Sequence, residues 1–198
     1  MSNWNERYDN EKYVYGTEPN VFLKEIQPRV LTSGNVLSIA EGEGRNAVFL
    51  AEQGLEVTAW DFAESGLLKV KKLAEKHKVH VNTELIDLAE AEWQQNGWDG
   101  IVCIYGHFPE EVKRATLKGI KRAVKPGGYF VAEVYSLYQI PYNSGGPKNP
   151  DFLYRPEEFL HEFSDWRIVH FFMGEVTRHE GDLHNGLAHV IQFVGQKK

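Results

Sequence analysis

Residues 36–61 read VLSIAEGEGRNAVFLAEQGLEVTAWD, in which a pair of closely spaced glycines and a helical pattern join two apolar runs. The run over 36–39 is typical of a short buried strand. Gly42 and Gly44 allow a sharp turn and a close approach of the backbone to a ligand, because neither residue carries a Cβ atom. The stretch therefore predicts a strand–helix–strand unit of the kind that holds a nucleoside.

An aspartate closes this unit where the second strand is expected to end. Asp61 follows Gly42 by 19 residues, and a carboxylate at this place can accept hydrogen bonds from both hydroxyls of a ribose. The spacing therefore predicts a cofactor that contains adenosine.

The charge of the glycine loop separates two classes of such cofactors. Gly42, Gly44 and Ala47 also fit the loose dinucleotide fingerprint, in which a doubly negative pyrophosphate lies against the loop and the helix N-terminus. Here Glu41 and Glu43 flank the first glycine, and carboxylates at about 4–6 Å would repel a phosphate. S-adenosylmethionine carries no phosphate, and its ammonium and sulfonium groups are cations. The loop therefore favours S-adenosylmethionine over a dinucleotide.

Short motifs over the first 135 residues carry a family resemblance. The matching segments are Trp4-Asn5-Glu6-Arg7-Tyr8, Tyr15-Gly16-Thr17-Glu18-Pro19-Asn20, Glu41-Gly42-Glu43-Gly44-Arg45-Asn46, Asp61, Ile86-Asp87-Leu88, Trp98-Asp99-Gly100-Ile101-Val102 and Lys125-Pro126-Gly127-Gly128. On these segments the chain resembles the class I S-adenosylmethionine-dependent methyltransferases, and it is similar to their small tellurite-resistance-like and thiopurine-like group. The resemblance implies an enzyme that transfers a methyl group from S-adenosylmethionine to a small molecule.

The chain departs from the family pattern at the first loop. Ser38 and Ala40 stand where an acidic residue and a glycine are common in this family. The departure leaves Glu41 as the expected partner of the cofactor ammonium, and it raises the question of weaker cofactor binding.

Composition and charge narrow the class of protein. The chain has 198 residues, 42% hydrophobic and 25% charged, which suits one sizeable core. Its net charge is −6, and the basic stretch 69–72 is interpreted as the solvated side of a helix, so nucleic-acid partners are disfavoured.

The single cysteine, Cys103, excludes an internal disulfide and is expected in the core. The N-terminus has no apolar stretch of signal-peptide or membrane-span length, so we expect a cytoplasmic protein without a membrane partner. The sequence leaves the oligomeric state open and is compatible with a monomer.

Helical and strand patterns alternate along the chain. Strands are expected at 36–40, 56–60, 80–86, 98–105 and 129–135, and helices at about 19–28 and at 45–53, 64–77 and 109–123. Residues 166–176 and 187–195 predict two more strands with no helix between them, and hence an antiparallel hairpin around a polar turn. The expected fold class is α/β, with a Rossmann-like seven-stranded mostly parallel sheet, helices on both faces and a C-terminal antiparallel β-hairpin.

We expect a single methyltransferase domain over residues 1–198. Within it, residues 1–30 are expected to form an N-terminal helical lid segment, and residues 35–135 the cofactor-binding core. Residues 136–198 are expected to contain a substrate loop and the terminal hairpin.

Ligands of such sheets bind beyond the carboxyl ends of the strands, so the residues after each strand are site candidates. The resemblance implies that Asp87 accepts a hydrogen bond from the adenine amino group and that the backbone of Leu88 contacts the ring, although Asp87 also suits a helix N-cap. The expected cofactor-binding residues are Trp4, Tyr8, Tyr15, Gly16, Glu41, Gly42, Glu43, Gly44, Arg45, Asn46, Asp61, Phe62, Asp87, Leu88 and Tyr105.

Methyl transfer from a sulfonium is an in-line displacement that depends on positioning, and a catalytic base is optional. His107 follows the fourth expected strand, near the expected place of the sulfonium. Arg178 and His184 belong to a polar cluster that is expected in the turn of the terminal hairpin. His107, His184 and Arg178 are therefore the candidate catalytic residues, and the alternative for each is an ordinary hydrogen-bonded or solvated side chain. No histidine spacing predicts a metal site.

The sequence thus predicts S-adenosylmethionine-dependent methyl transfer to a small-molecule nucleophile such as a thiol, a chalcogen oxyanion or an amine. One alternative is a non-catalytic S-adenosylmethionine-binding module, for which Ser38 and Ala40 would mark a decayed loop. The other is a dinucleotide-dependent oxidoreductase, against which Glu41 and Glu43 argue.

Overall fold

A computed structural model describes residues 4–181 and 183–198; the first three residues of the expected lid segment lie outside this range. In chain order the strands are β1 (Asn35–Ile39), β2 (Glu56–Asp61), β3 (Val81–Leu85), β4 (Trp98–Ile104), β5 (Val124–Tyr135), β6 (Arg167–Glu180) and β7 (His184–Gln196). The helices are α1 (Trp4–Tyr8), α2 (Val21–Val30), α3 (Arg45–Glu52), α4 (Glu64–His77), α5 (Glu110–Ala123) and α6 (Pro156–Glu162).

Within the described residues the seven strands form one sheet in the order β3-β2-β1-β4-β5-β7-β6. β1 to β5 pair in parallel, and β7 is antiparallel to both of its neighbours. The prediction of a mostly parallel sheet that ends in an antiparallel hairpin is confirmed. Parallel strands require crossover connections, which the helices after β1, β2 and β4 supply, whereas the short link between β6 and β7 permits only an antiparallel pair.

Helices cover both faces of the sheet, as expected. The alternation along β4 shows the two sides: Val102 packs with α2, α3 and α4, whereas Ile101 and Cys103 pack with α5 and α6. Cys103 is buried, and burial raises the pKa of its thiol to about 12, which confirms it as an inert core residue. Among the described residues, no helix is long and apolar enough to cross a membrane.

The terminal hairpin is longer than the sequence predicted. β6 and β7 pair from Arg167 opposite Gln196 to Glu180 opposite His184, with one register shift between Ile168 and His170, so most of the expected polar turn is in fact paired strand. The placement of Arg178 and His184 in a turn is therefore wrong. The physical reason is that both side chains are buried and have partners inside the protein, so their polarity does not mark exposure to solvent.

Candidate active site

The loop after β1 bends through left-handed backbone conformations. The φ angles are +49° at Ala40, +67° at Gly42 and +101° at Gly44. A Cβ atom on Gly44 would lie 2.8 Å from the Cα atom of Val70, so only glycine fits there. Ala40 takes the same kind of backbone with a side chain present, which costs free energy. The turn brings the start of α3 to the edge of the sheet where β1 and β2 end.

Asp61 ends β2 beside this loop, as the sequence predicted. Its Oδ2 accepts a hydrogen bond from the Gly42 amide at 2.8 Å, and its Oδ1 accepts one from the Ala63 amide at 2.8 Å. The side chain is buried, and burial raises the pKa of the carboxyl. A carboxylate has about four acceptor sites, so these backbone contacts leave room for a ribose hydroxyl.

The Glu41 carboxylate points into the protein. Its Oε1 accepts hydrogen bonds from the amides of Asn46 (3.1 Å) and Ala47 (3.0 Å), and the Ser38 hydroxyl donates to its Oε2. Burial raises the pKa of Glu41 to about 6. Glu41 therefore caps the first turn of α3, and Ser38 supports it. These three donors occupy most of the roughly four acceptor sites of the carboxylate, so at most one remains for a cofactor ammonium.

Glu43 ties the N-terminal segment to the loop. Its Oε2 accepts hydrogen bonds from the amides of Val14 (2.8 Å) and Tyr15 (3.4 Å), while its Oε1 forms an ion pair with Lys69 at 2.7 Å. Lys69 also donates to the Lys12 carbonyl at 2.7 Å. Because Lys69 neutralises Glu43, the charge argument against a dinucleotide loses much of its force.

Aromatic residues of the N-terminal segment lie over the glycine loop. The Tyr8 hydroxyl is 2.9 Å from the place that a Cβ atom on Gly42 would occupy, and Tyr8 is buried. Trp4 packs against the Tyr8 ring, at 5.5 Å between ring centroids. The Arg7 guanidinium lies 4.4 Å from the centroid of the Trp4 ring. Segment and loop thus form one packed unit, and the role of the segment as a lid stays a prediction.

The expected adenine residues lie after β3, next to β2 in the sheet. Asp87 is exposed, and its Oδ1 accepts a hydrogen bond from the Ala89 amide at 2.9 Å within a turn that starts no helix. Leu88 is buried. Phe62, directly after Asp61, exposes 48% of its surface, which leaves its ring free to contact a flat ligand.

A buried charged network lies at the centre of the site, and sequence reasoning missed most of it. Glu133 of β5 is fully buried, and its carboxylate accepts hydrogen bonds from Arg178 Nε (3.0 Å), Gln192 Nε2 (2.7 Å), Asn20 Nδ2 (2.9 Å) and the Tyr105 hydroxyl (2.7 Å). Burial alone would raise the pKa of Glu133, but the Arg178 guanidinium and these donors lower it. A lone acidic residue inside the apolar run 130–135 was the signal that could have found it.

A second ion pair extends this network to the cofactor loop. Arg45 of α3 meets Glu180 of β6 at 2.7 Å, and Glu180 also accepts from the Asn20 amide nitrogen Nδ2 at 3.1 Å and from the Val21 backbone at 3.2 Å. Asn46 accepts a hydrogen bond from the backbone of Asn20 at 2.9 Å. The side chains of Arg45 and Asn46, both expected to bind cofactor, are therefore engaged inside the protein.

Four rings meet beyond the carboxyl ends of β4 and β5, and we call them the aromatic cluster: Tyr15, Tyr105, Tyr135 and His184. The His184 ring lies 4.5 Å from Tyr15, 4.3 Å from Tyr105 and 5.5 Å from Tyr135, measured between centroids. A Cβ atom on Gly16, next to Tyr15, would lie 3.6 Å from the backbone nitrogen of Gly181 at the end of the terminal hairpin. The aromatic cluster is therefore the place where the N-terminal segment, the end of β5 and the terminal hairpin come into contact.

His107 has both ring nitrogens engaged. Nδ1 lies 2.9 Å from the Phe152 carbonyl, and Nε2 accepts from the Tyr135 amide at 3.3 Å, which requires the proton on Nδ1. Burial lowers the pKa of His107 to about 4. Both ring nitrogens of His107 therefore form hydrogen bonds with the backbone, and this geometry argues against the expected role of His107 as a base.

An open cleft of about 560 Å³ along α5 is lined by residues that include Trp93, Lys118 and Arg122, and it contains none of the candidate site residues. Among the described residues, no group of three or more His, Cys, Asp or Glu side chains is arranged to hold a metal ion.

Comparison with known proteins adds a family match. Residues 36–128 match the family described as a methyltransferase domain. Over 159 residues the chain is 26% identical to a Haemophilus influenzae protein named probable S-adenosyl-L-methionine-dependent methyltransferase TehB, and over 127 residues it is 27% identical to the putative methyltransferase YqeM of Bacillus subtilis. These alignments cover 79% and 60% of this chain but 52% and 49% of the relatives. The chain thus spans about half the length of the curated relatives it matches.

Solved structures show the same fold. The chain is similar to the crystal structure of TehB from Haemophilus influenzae, with a TM-score of 0.75 at 20% identity over 98% of this chain and 66% of the other. It is also similar to a structure described by the conversion of a disulfide bond into a thioacetal group during echinomycin biosynthesis. That likeness has a TM-score of 0.77 at 16% identity over 98% of this chain and 88% of the other. Such low identities establish the fold alone.

Proposed function

Because the chain carries a class I S-adenosylmethionine-dependent methyltransferase domain similar to that of TehB, we propose that it transfers a methyl group from this cofactor to a small-molecule nucleophile at the aromatic cluster. The observation that carries the proposal is the connection between the cofactor loop and the cluster. Glu43 of the loop accepts a hydrogen bond from the backbone of Tyr15, and the Tyr15 ring contacts His184.

The residues at the sheet edge fit S-adenosylmethionine. Asp61 would hold the ribose hydroxyls, the left-handed turn at Gly42 and Gly44 would place the loop backbone beside the cofactor, and Asp87 with Phe62 would hold the adenine. When bound, the cofactor supplies an electrophilic methyl group on a sulfonium.

The chain's own residues then position the acceptor and exclude water. The rings of Tyr15 and Tyr105 lie together with His184 beyond the carboxyl end of β4, and aromatic rings at this place would favour the sulfonium cation. Tyr8 covers the glycine loop at Gly42 and shields it from solvent, and Trp4 packs against the Tyr8 ring.

The catalytic assignments change in the light of these contacts. His184 takes the place of His107 as the candidate proton acceptor, because its Nδ1 has no partner among the described residues. Arg178 is paired with Glu133, so we assign it the positioning of β6 against β5 rather than contact with the acceptor.

The acceptor belongs to the small nucleophiles that the sequence suggested, namely a thiol, a chalcogen oxyanion or an amine. A cytoplasmic location, a monomeric state and a single domain over the whole chain remain predictions. The family match gives no support to the dinucleotide-dependent oxidoreductase. This match now carries the argument against a dinucleotide, because Lys69 weakens the argument from the charge of the loop.

The experiment that tests the proposal is formation of S-adenosylhomocysteine from S-adenosylmethionine with a panel of thiols, phenols, selenite, tellurite and amines. A parallel thermal-shift series uses S-adenosylmethionine, S-adenosylhomocysteine, NAD, NADPH and ATP, since a ligand at 100 times its Kd stabilises the native state by about 2.7 kcal/mol. We expect turnover together with stabilisation by the two sulfur nucleosides. Stabilisation without turnover would support the non-catalytic binding module instead, and stabilisation by a dinucleotide alone would contradict both.

A further inference from the structure

Two open clefts lie side by side along α5, outside the candidate active site. The first, of about 560 Å³, runs between α5 and residues 91–94, and the second, of about 400 Å³, runs between α5 and residues 197–198. Lys118 and Arg122 line both clefts, so the two form one continuous groove, with Trp93 on one side and Lys197 on the other. We call it the α5 groove. None of the candidate site residues lines it, so it is separate from the proposed methyl-transfer site.

The α5 groove concentrates positive charge in a chain whose net charge is −6. Lys118 and Arg122 are exposed, and their side chains form neither an ion pair nor a hydrogen bond within residues 4–181 and 183–198. Lys121 adds a cation that is paired with Asp165 at 2.7 Å, and Glu92 is the other acidic side chain in the lining. An anion in the groove would therefore meet two cations that no carboxylate of the described chain has paired.

The end of α5 does not require Arg122. The Lys197 ammonium donates to the carbonyls of Lys121 at 2.9 Å and Val124 at 2.7 Å, and to the Asn96 side chain at 3.1 Å. A cation close to a helix C-terminus commonly binds these last carbonyls. Because Lys197 does so here, the Arg122 guanidinium remains available to a ligand.

α5 has two features beside the groove that are unfavourable for a helix. Arg114, Lys118 and Arg122 follow one another at intervals of four residues, and like charges one turn apart repel. Gly119 lies inside the helix, where glycine lowers helix stability. A Cβ atom on Gly119 would lie 2.3 Å from Cε2 and Nε1 of Trp93, so the glycine lets the indole lie directly on the helix. Residues that oppose local stability are expected at functional sites.

Trp93 supplies an aromatic wall next to the unpaired cations. Its ring is half-buried and lines the groove together with Ala91 and Ala115. A cleft of about 560 Å³ has the size that holds a small organic ligand. A planar ring suits the indole, and a phosphate suits Lys118 and Arg122, which lie about 6 Å apart along the helix axis. The groove thus combines the two contacts that recognise a nucleotide.

We propose that the α5 groove is a binding site for a small nucleotide, whose base lies against Trp93 and whose phosphate lies between Lys118 and Arg122. The site is additional to the cofactor site, and the inference does not rest on the proposed function. A phosphate alone would leave the aromatic wall unused, and a nucleoside would leave the cations unused. A long nucleic acid is opposed by the net charge of −6, which repels phosphates beyond the groove.

The test is calorimetric titration of the full chain, saturated with S-adenosylhomocysteine, with four probes: uridine monophosphate, uridine, inorganic phosphate and an oligouridylate of about eight nucleotides. Uracil probes are used because an adenine nucleotide could also enter the adenosine site. We expect uridine monophosphate to bind at least about ten-fold more tightly than uridine or phosphate, because each of these lacks one of the two contacts.

Charge reversal probes the two cations. The double variant Lys118→Glu with Arg122→Glu should weaken the binding of uridine monophosphate by about ten-fold or more. The matched control is Lys71→Glu with Lys72→Glu, at exposed positions of α4, which makes the same change in net charge. It should leave the affinity within about two-fold, because screened charges far from the groove contribute little.

Two further variants probe the aromatic wall. Trp93→Phe offers a smaller ring and should weaken the binding of uridine monophosphate about five-fold without a change for phosphate. Gly119→Ala favours the helix but displaces the indole, so it should weaken the binding of the nucleotide while α5 itself is not destabilised.

The outcomes decide between the ligands. No binding of uridine monophosphate, or binding that the Lys118 and Arg122 double variant retains, overturns the site. Equal affinities of phosphate and uridine monophosphate overturn the role of Trp93. Binding of the oligouridylate more than about ten-fold tighter than the mononucleotide overturns the small nucleotide as occupant and indicates a single-stranded nucleic acid in its place.

Discussion

Glu133 of β5 holds Arg178 of β6 across the intervening strand β7 by two hydrogen bonds. The two residues are 45 positions apart, and Gln192 of β7 donates to the same carboxylate at 2.7 Å. The pair therefore locks the end of the sheet, where the aromatic cluster lies, into one arrangement. A buried pair of this kind is costly to break, because removal of one partner leaves the other charge uncompensated.

Substitution of Arg178 by Met should therefore destabilise the protein by about 3–5 kcal/mol, measured by urea unfolding. The control is Lys125→Met, since Lys125 pairs with Asp99 at 2.8 Å near the surface and its loss should cost about 1 kcal/mol or less. Equal costs for the two variants would contradict the assigned difference between the buried pair and the surface pair.

The contact between Glu43 and the N-terminal segment predicts a change in local opening. Glu43→Ala removes the acceptor of the Val14 and Tyr15 amides and leaves Lys69 unpaired, so amide hydrogen exchange at residues 13–16 should accelerate about ten-fold or more, as for a local loss of about 1.4 kcal/mol. Lys72→Met, an exposed substitution on the same helix as Lys69, is the control and should leave this exchange unchanged. Unaltered protection in Glu43→Ala would show that other contacts hold the segment.

Ala40 predicts a simple stabilising substitution. Its φ of +49° is unfavourable for a residue with a Cβ atom and costs little for glycine. Ala40→Gly should therefore raise the free energy of unfolding by about 0.5–1 kcal/mol, after allowance for the greater freedom of glycine in the unfolded chain. A drop in the melting temperature would show that the methyl group of Ala40 makes contacts worth more than the strain.

Glu41 predicts a pH dependence of stability. Burial raises its pKa from 4.5 to about 6, so between these values the native state binds more protons than the unfolded chain, and ionisation reduces stability as the pH rises. Glu41→Gln stays neutral and can keep the contacts to Ser38 and to α3. The variant should therefore gain stability relative to the original chain, by about 2 kcal/mol across this window. Urea unfolding at pH 4, 5, 6 and 7 measures the difference in free energy of unfolding between variant and original chain. The control is Glu64→Gln at an exposed position, for which this difference should be the same at each pH.

Asp61 predicts a specific loss of cofactor affinity. Asp61→Ala should weaken S-adenosylmethionine binding by about 1.5–3 kcal/mol, as for a lost hydrogen bond to a charged acceptor. Because Asp61 also accepts from the Gly42 amide, Asp61→Asn serves as the milder variant that retains one acceptor oxygen for the loop. Calorimetric titration of both variants measures the loss, and unchanged affinity in Asp61→Ala would refute the ribose assignment.

Much of the cofactor half of the site could be predicted from local sequence patterns. The strand ending at Ile39, the left-handed glycine loop and Asp61 at the end of β2 all follow from short-range periodicity and from the absence of a Cβ atom in glycine. The parallel pairing among β1 to β5 and the final antiparallel pair also follow from the succession of elements, because parallel neighbours need crossover connections. The family resemblance came from short motifs instead.

The charged and polar residues could not be placed in this way. The sequence shows that Glu41 and Glu43 flank a glycine. Only the folded chain shows that backbone amides of α3 donate hydrogen bonds to Glu41 and that Lys69 forms an ion pair with Glu43. It likewise shows Arg178 and His184 in a polar stretch, which local reasoning interprets as a turn.

Long-range partners explain these differences. Asn20 meets Glu180 across 160 positions of sequence, and Glu133 meets Arg178 across 45. Burial of such groups is favourable only when the fold brings their partners into contact, and local periodicity carries no information about a partner so far along the chain. The amino-acid sequence alone therefore establishes the framework that holds the cofactor. The tertiary structure establishes which polar groups are paired within that framework, because the partners of Glu133 and Glu180 lie far away in the sequence.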